Sequence, residues 1–215
     1  MPVLEACEAD SKKKTLRAAE QGRPDVAEAR RLWIKTQPAL DADSLVFLDE
    51  SGAQTNMTTR YGRAPVGERC VDRSPHGHWK TLTLLSAIRR DGVMRDATIV
   101  VDGSMDAAVF TAYAQRCPAP SLRRGDIVVM DNLGSHHAAD ASRAIEAVGA
   151  SVWFLPAYSP DLNPIEKMWS KTKAWLRRVA AKTIEGLIQA TADALRAVSP
   201  DECQAYFRSC GYCQE

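Results

Sequence analysis

Three acids stand out by their settings. Asp49 closes the apolar run "SLVFLD" (residues 44–49), and Asp131 closes a second, "DIVVMD" (126–131). Glu166 lies in "YSPDLNPIEKMWSKTK" (158–173), where the run "VWFLP" gives way to two prolines, an aspartate and an asparagine. Thirty-four residues (132–165) lie between Asp131 and Glu166. Three carboxylates gathered at one sheet edge repel unless a cation sits among them, and hard oxygen ligands with open positions suit Mg²⁺ or Mn²⁺. Two such ions about 4 Å apart activate an attacking oxygen and stabilise the leaving oxygen of a phosphodiester. The chemistry open to this trio is two-metal phosphoryl transfer.

Glu166 has a second reading. Asn163 suits a helix N-cap, Pro164 the first helical position and Glu166 the third, so the carboxylate could simply complete a capping box. Alternatively Pro160, Pro164 and the cap hold the first turn rigid and aim the carboxylate at the two aspartates. Capping explains Glu166 alone; it leaves unexplained why acids also end two strands.

The elements that must position these residues follow from the apolar pattern. Five short runs rich in Val, Ile, Leu and Phe read as buried strands: 44–49, 81–88, 96–102, 126–131 and 151–156. Asp91-Gly92 suits a hairpin turn between the second and third. "SMDAAVFTAYAQRC" and "AADASRAIEAVG" carry helical spacing between the later strands, with Gly149 as a C-terminal stop, and a further helix begins near Pro164. Residues 1–43 read as one or two helices, "SKKKTLRAAEQ" and "PDVAEARRLWIKTQ", broken at Gly22-Arg23-Pro24. An early hairpin followed by crossover helices predicts an α/β fold with a mixed five-stranded sheet flanked by helices. Sites in such sheets form outside the carboxyl ends of strands, and the order 3-2-1-4-5 sets Asp49 beside Asp131.

Bulk properties bound the class. With 215 residues, 45% hydrophobic and 26% charged, the chain is globular and long enough for a real core. No run nears the roughly eighteen apolar residues of a membrane span, and "MPVLEACEADSKKK" lacks the apolar centre of a signal peptide, so a cytoplasmic protein is expected. The six cysteines then read as reduced thiols, since Cys203, Cys210 and Cys213 lack the second pair or the histidines of a zinc site. Net charge is only +1, but Lys167, Lys171, Lys173, Arg177, Arg178 and Lys182 follow one another without an acid. The loop after Asp49 carries Arg60, Arg63, Arg69 and Arg73. Such stripes bind phosphate or are merely solvated faces.

"VFLDESG", "VVMDNLGSHH" and "LPAYSPDLNPIEKMWSKTK", in this order and at this spacing, resemble the three catalytic blocks of the mariner superfamily of DDE transposases, in particular its bacterial insertion-sequence branch. The resemblance covers about residues 24–200. It implies a ribonuclease-H-like fold, with Asp49, Asp131 and Glu166 as catalytic ligands of two Mg²⁺ or Mn²⁺ ions. It also implies cleavage of double-stranded DNA at transposon ends, then attack of the freed 3′-hydroxyl on a TA target without a covalent protein–DNA intermediate. TA steps kink easily, which suits a deformed target. The active form would be a homodimer. The loop from Ser51 to Lys80 would touch DNA or a second subunit, and Arg60, Arg63, Lys167, Lys171, Lys173, Arg177 and Arg178 would contact DNA.

Forty-three residues before the first strand leave no room for the paired helix-turn-helix modules of full-length relatives. The expected partition is a helical appendage (1–43), a catalytic domain (44–200) and a tail (201–215), with an N-terminal DNA-binding portion encoded upstream. A catalytically silent fragment that binds DNA or dimerises is the alternative function. A receiver-like or Rossmann-like domain is a third, but "ESGAQT" is no G-x-G-x-x-G loop.

Other residues have plainer expectations. Strand alternation turns Glu50 away from Asp49, giving it a supporting role. Asp102 also ends a strand, but a more distant one in turn-forming "DGS". Asn132 orients a ligand or water, or makes an Asx turn. His136 and His137 open a helix, where helix-end hydrogen bonding competes with a metal role. Trp79, Trp153, Trp169 and Trp175 are expected in the core or between helices, and Asp161 caps or braces its turn.

Overall fold

The structure, a computed structural model, describes residues 18–59, 61–71, 73 and 77–213. Five strands form one mixed sheet: β1 (Leu45–Gln54), β2 (Thr81–Arg89), β3 (Gly92–Asp102), β4 (Ile127–Met130) and β5 (Ser151–Phe154), in the order β3-β2-β1-β4-β5. β1 pairs antiparallel with β2 and parallel with β4, as an early hairpin and later crossovers require. The hairpin turn falls at Arg90-Asp91, one residue earlier than the sequence predicts, with Arg89 paired to Gly92. β1 also runs five residues past its predicted end, because the polar stretch Glu50–Gln54 pairs with β2 up to Thr81.

Alternation along β1 sorts its side chains onto two cores. Leu45 and Phe47 face α4 (Ile165–Val179), α5 (Ile184–Arg196) and α6 (Pro200–Ser209), joining Ile165, Met168, Trp169, Leu187 and Phe207. Val46 and Leu48 face α2 (Ala107–Arg116) and α3 (Ala139–Ala147), joining Phe110, Tyr113, Ala141 and Ile145. Phe47 meets Phe207 edge-on with ring centroids 5.3 Å apart, and Tyr212 at 4.8 Å. The segment set apart as a tail thus contributes α6, capped by a box between Ser199 and Glu202, and places Cys203 and Phe207 in the core.

The N-terminal segment is equally engaged. α1 (Pro24–Thr36) buries Val26; Trp33 packs edge-on with Trp153 at 6.1 Å and donates its indole N–H to the Tyr212 hydroxyl at 2.9 Å. Of the other predicted helix, "SKKKTLRAAEQ", residues 11–17 lie outside the described residues, and Ala19–Gly22 form a 3-10 turn. Among the described residues no helix is long and apolar enough to cross a membrane.

Candidate active site

The strand register brings two of the acids together. β1 and β4 pair as Leu45↔Ile127, Val46↔Val128 and Phe47↔Val129. The same offset carried two residues further sets Asp49 level with Asp131, just past the carboxyl end of β4. Alternation turns Asp49 to the face that carries α4, and Glu166 stands in the first turn of that helix. Asp131, Glu166 and Asn163 line a cleft of about 490 Å³ together with Leu155, Tyr158 and Pro160. Asp49 lies behind this wall, 4% exposed, with the Asn163 Nδ2 donating to its Oδ2 at 3.1 Å and the Glu50 N–H to its Oδ1 at 2.7 Å.

The electrostatics are those of neighbouring acids that repel one another. Burial holds the Asp49 carboxyl well above the ordinary carboxylate range, and the charges of Asp131 and Glu166 push the same way. Glu166 reaches solvent, yet the protein packed about its carboxyl raises it too; Lys173 offsets part of that and Asp131 adds to it. Among the described residues no three ligand-type side chains converge tightly enough to enclose an ion. The donor set nevertheless suits a hard divalent cation: oxygen ligands only and mutually repelling, two of them on an open cleft and the third, Asp49, buried behind it.

The turn that delivers Glu166 is held from distant parts of the chain. Gln21 donates to the Tyr158 carbonyl at 2.6 Å. Arg30 grips both oxygens of Asp161, at 2.9 and 2.7 Å, and donates to the Ser159 hydroxyl at 2.7 Å, so Asp161 braces the turn. Tyr212 donates its hydroxyl to the Leu162 carbonyl at 2.7 Å. Tyr158 takes a left-handed φ of 57°, a conformation costly for a side chain with a Cβ.

Two sequence expectations are corrected here. Asn163 does not cap α4 with its side chain, which is drawn inward to Asp49 instead. Glu166 does not complete a capping box either, because the Asn163 N–H is taken by the Pro160 carbonyl at 3.2 Å. The carboxylate is left facing the cleft.

His136 is a further correction. It sits in a 3-10 turn (Gly134–His137), and its ring turns inward, not to a helix end. Fully buried, it places Nδ1 2.7 Å from Asp131 Oδ1, which also accepts the Leu133 N–H at 3.2 Å. A histidine five residues after an acid carries no pattern that would reveal this. The His137 side chain lies outside the described residues.

Glu50 is on the α2–α3 face, half-buried, its carboxyl raised by burial, lowered by His136 and raised by Asp131. Asn132 donates to the Leu155 carbonyl at 3.1 Å, tying the ends of β4 and β5. Asp102 is exposed on β3, with β2 between it and β1. Trp169 is in the core, Trp153 packs on Trp33, and Trp175 lies under the Arg178 guanidinium at 5.1 Å, but Trp79 is 46% exposed, against expectation.

The basic candidates divide. Lys171 grips Glu202, at 2.6 and 2.7 Å, and the Ala197 carbonyl at 2.7 Å, pinning α4 to the start of α6. Lys167, Arg178 and Arg63 are exposed, and Lys173 and Arg177 are half-buried; Arg60 lies outside the described residues.

Sheet order, flanking helices and acids at the carboxyl edge define a ribonuclease-H-like fold with an acidic site. Residues 44–188 match the family described as DDE superfamily endonuclease, and the chain belongs to that family. Its fold is similar to that of the isolated catalytic domain of Mos1 mariner transposase, with a TM-score of 0.63 at 15% identity, over 93% of this chain and 92% of that one. It is similar also to the chain in the mariner Mos1 paired end complex with Mg, with a TM-score of 0.73 at 15% identity, over 95% of this chain and 64% of that one. For the Mos1 strand transfer complex the TM-score is 0.70 at 14% identity, covering 96% and 63%. At these identities the likeness is one of fold, and this chain spans just under two thirds of the Mos1 chains in those complexes. No curated protein matches the sequence.

Proposed function

We propose that this chain is the catalytic part of a DNA transposase that cuts transposon-end DNA and transfers the freed strand to a target. Asp49, Asp131 and Glu166 are the residues that hold two Mg²⁺ or Mn²⁺ ions. The observation that carries this reading is the approach of three acids, from β1, the end of β4 and the start of α4: Asp131 and Glu166 line one cleft with Asp49 buried behind it, and burial and mutual repulsion raise Asp49 and Glu166. Divalent ions bound there would neutralise that charge and polarise a phosphodiester.

The chain's own residues divide the remaining work. Asn163 and the Glu50 N–H hold Asp49 still, and the anchored turn from Tyr158 to Asn163 fixes the approach of Glu166. Lys167, Lys173, Arg177 and Arg178, on the helix that begins with Glu166, and Arg63 in the loop after β1 would contact DNA phosphates. Lys171 leaves that set because its ammonium is held by Glu202. Membership of the family, and a fold shared with a transposase whose complexes include paired transposon ends and strand transfer, support DNA as the substrate.

The test is Mn²⁺-dependent nicking of supercoiled plasmid, with Asp131→Asn run beside the wild type. Nicking that falls to background in the variant is the expected result. Equal nicking by both removes the assignment of Asp131. A wild type that binds DNA and never nicks it would favour the silent, regulatory fragment instead.

A further inference from the structure

Behind Asp131, on the sheet face away from α4, lies a small polar cluster inside an otherwise apolar layer. His136 is completely buried, tilted against Phe110 with ring centroids 4.5 Å apart. Its Nδ1 lies 2.7 Å from Asp131 Oδ1 and 3.4 Å from the Asp131 carbonyl oxygen. A ring nitrogen at hydrogen-bond distance from two oxygens of one residue is the protonated one, so Nδ1–H donates to Asp131. Among the described residues the opposite nitrogen, Nε2, is buried without a partner, and so is Oε2 of Glu50, which alternation along β1 sends to this same face.

These atoms argue against packing alone as the reason for a histidine here. A phenyl ring would fill the space against Phe110 and leave no orphaned nitrogen. Keeping an imidazole means accepting an unsatisfied buried atom in exchange for the Nδ1–H bond, and an unmade buried hydrogen bond is costly. Asp131 also needs outside support. It stands past the end of β4, beyond the last ladder pair, and its side chain is 37% exposed. Left with the Leu133 N–H alone, its carboxylate would retain freedom about χ1 and χ2.

We propose that His136 is a positioning residue for Asp131: through Nδ1–H it fixes one carboxylate oxygen and thereby orients the other toward the cleft shared with Glu166. The inference rests on the proposed role of Asp131 as a metal-holding residue. Residues behind a ligand set its orientation, and losing one typically costs roughly 10- to 100-fold in metal affinity or activity.

Two substitutions separate the hydrogen bond from the packing. His136→Phe keeps the ring against Phe110 and removes the donor. His136→Asn shortens the side chain but returns an N–H near the place of Nδ1. Each is measured on the DNA-free protein by Mn²⁺ titration with electron paramagnetic resonance, and on plasmid nicking resolved into kcat and KM, with thermal melting as the check on folding. His136→Phe is expected to melt with the wild type, to bind Mn²⁺ about 10- to 100-fold more weakly and to lose kcat to a similar extent with KM for DNA unchanged. His136→Asn is expected to recover most of both.

Wild-type Mn²⁺ affinity and kcat in His136→Phe would overturn the inference and leave the proposed function standing. So would a His136→Asn variant that folds and is as impaired as His136→Phe, since the donor would then not be the cause. A wild-type protein that binds no Mn²⁺ overturns both readings together.

Discussion

Replacing Asp49 by asparagine is expected to stabilise the metal-free protein while destroying its response to metal. Asp49 is 4% exposed, and burial, with Asp131 and Glu166 adding to it, keeps its carboxyl well above the ordinary range. Its hydrogen bonds come from the Glu50 N–H and from Asn163 Nδ2. Among the described residues Asn163 Oδ1 is buried without a partner. Turning over the Asn163 amide therefore presents an acceptor to the NH₂ of the substituted side chain, and both contacts survive. What disappears is one poorly compensated buried charge, worth about 1–3 kcal/mol. At about 2–4 °C per kcal/mol for a domain of this size, Tm should rise by roughly 2–12 °C at neutral pH in EDTA.

The pH dependence has a definite sign. A carboxyl whose folded-state pKa is raised contributes stability while protonated, and loses it as pH climbs from the ordinary 3.8 through the raised value. The advantage of the variant therefore grows as pH rises above about 4 and closes below it. Excess Mn²⁺ should reverse the ranking, because a ligand at a hundredfold its Kd adds about 2.7 kcal/mol to the state that binds it. Thermal melts by circular dichroism, at both pH values and with Mn²⁺ or EDTA, measure all of this. A variant that melts below the wild type at neutral pH in EDTA would refute the reasoning from charge.

Arg89→Met should cost about 3–5 kcal/mol in urea unfolding, because Asp126 would stay buried without its partner 2.9 Å away; adding Asp126→Leu should recover most of it. Burial would raise the Asp126 carboxyl, yet hydrogen bonds from Arg89 and the Arg123 N–H prevail and hold it low, so this pair's contribution should fade as pH falls below about 3.8. Arg30→Ala removes three hydrogen bonds from the Glu166 turn, but Asp161 is 55% exposed, so the loss in stability should be only about 1 kcal/mol. Its kcat for nicking should fall further, by about 10-fold, because misplacement of a reacting group is penalised steeply.

The sheet was legible because its strands are short apolar runs separated by turn residues and helical spacing, and because one early hairpin restricts the order. Where polar residues extend a strand, as Glu50–Gln54 do in β1, the apolar pattern stops too soon. α6 was missed for a different reason. Ser199-Pro200 followed by Glu202 is a capping box with proline at the first helical position, a signal the sequence does carry. Its short, polar sequence hid the few side chains that matter: Cys203 and Phe207 on one helix face, then Tyr212 beyond it, all buried. In a short amphipathic helix two or three contacts decide the packing, and composition averages them away.

The acids themselves were visible because each ends or begins an element, whereas the groups that hold them were not. Asn163 looked like a cap, and the local rule was sound, since its backbone is extended where a cap should be. The side chain obeys a stronger demand: a buried carboxylate needs a donor more than an exposed helix end does, since water can serve the latter. His136 and Tyr212 follow the same logic at longer range, one donating to Asp131 and the other linking Trp33 to the Leu162 carbonyl. A site of like charges cannot position itself, for its members push apart. Its geometry has to be imposed by neutral donors and braces from elsewhere in the chain, which is why segments far apart in sequence, α1 and the residues after α6, meet on the one turn that carries Glu166.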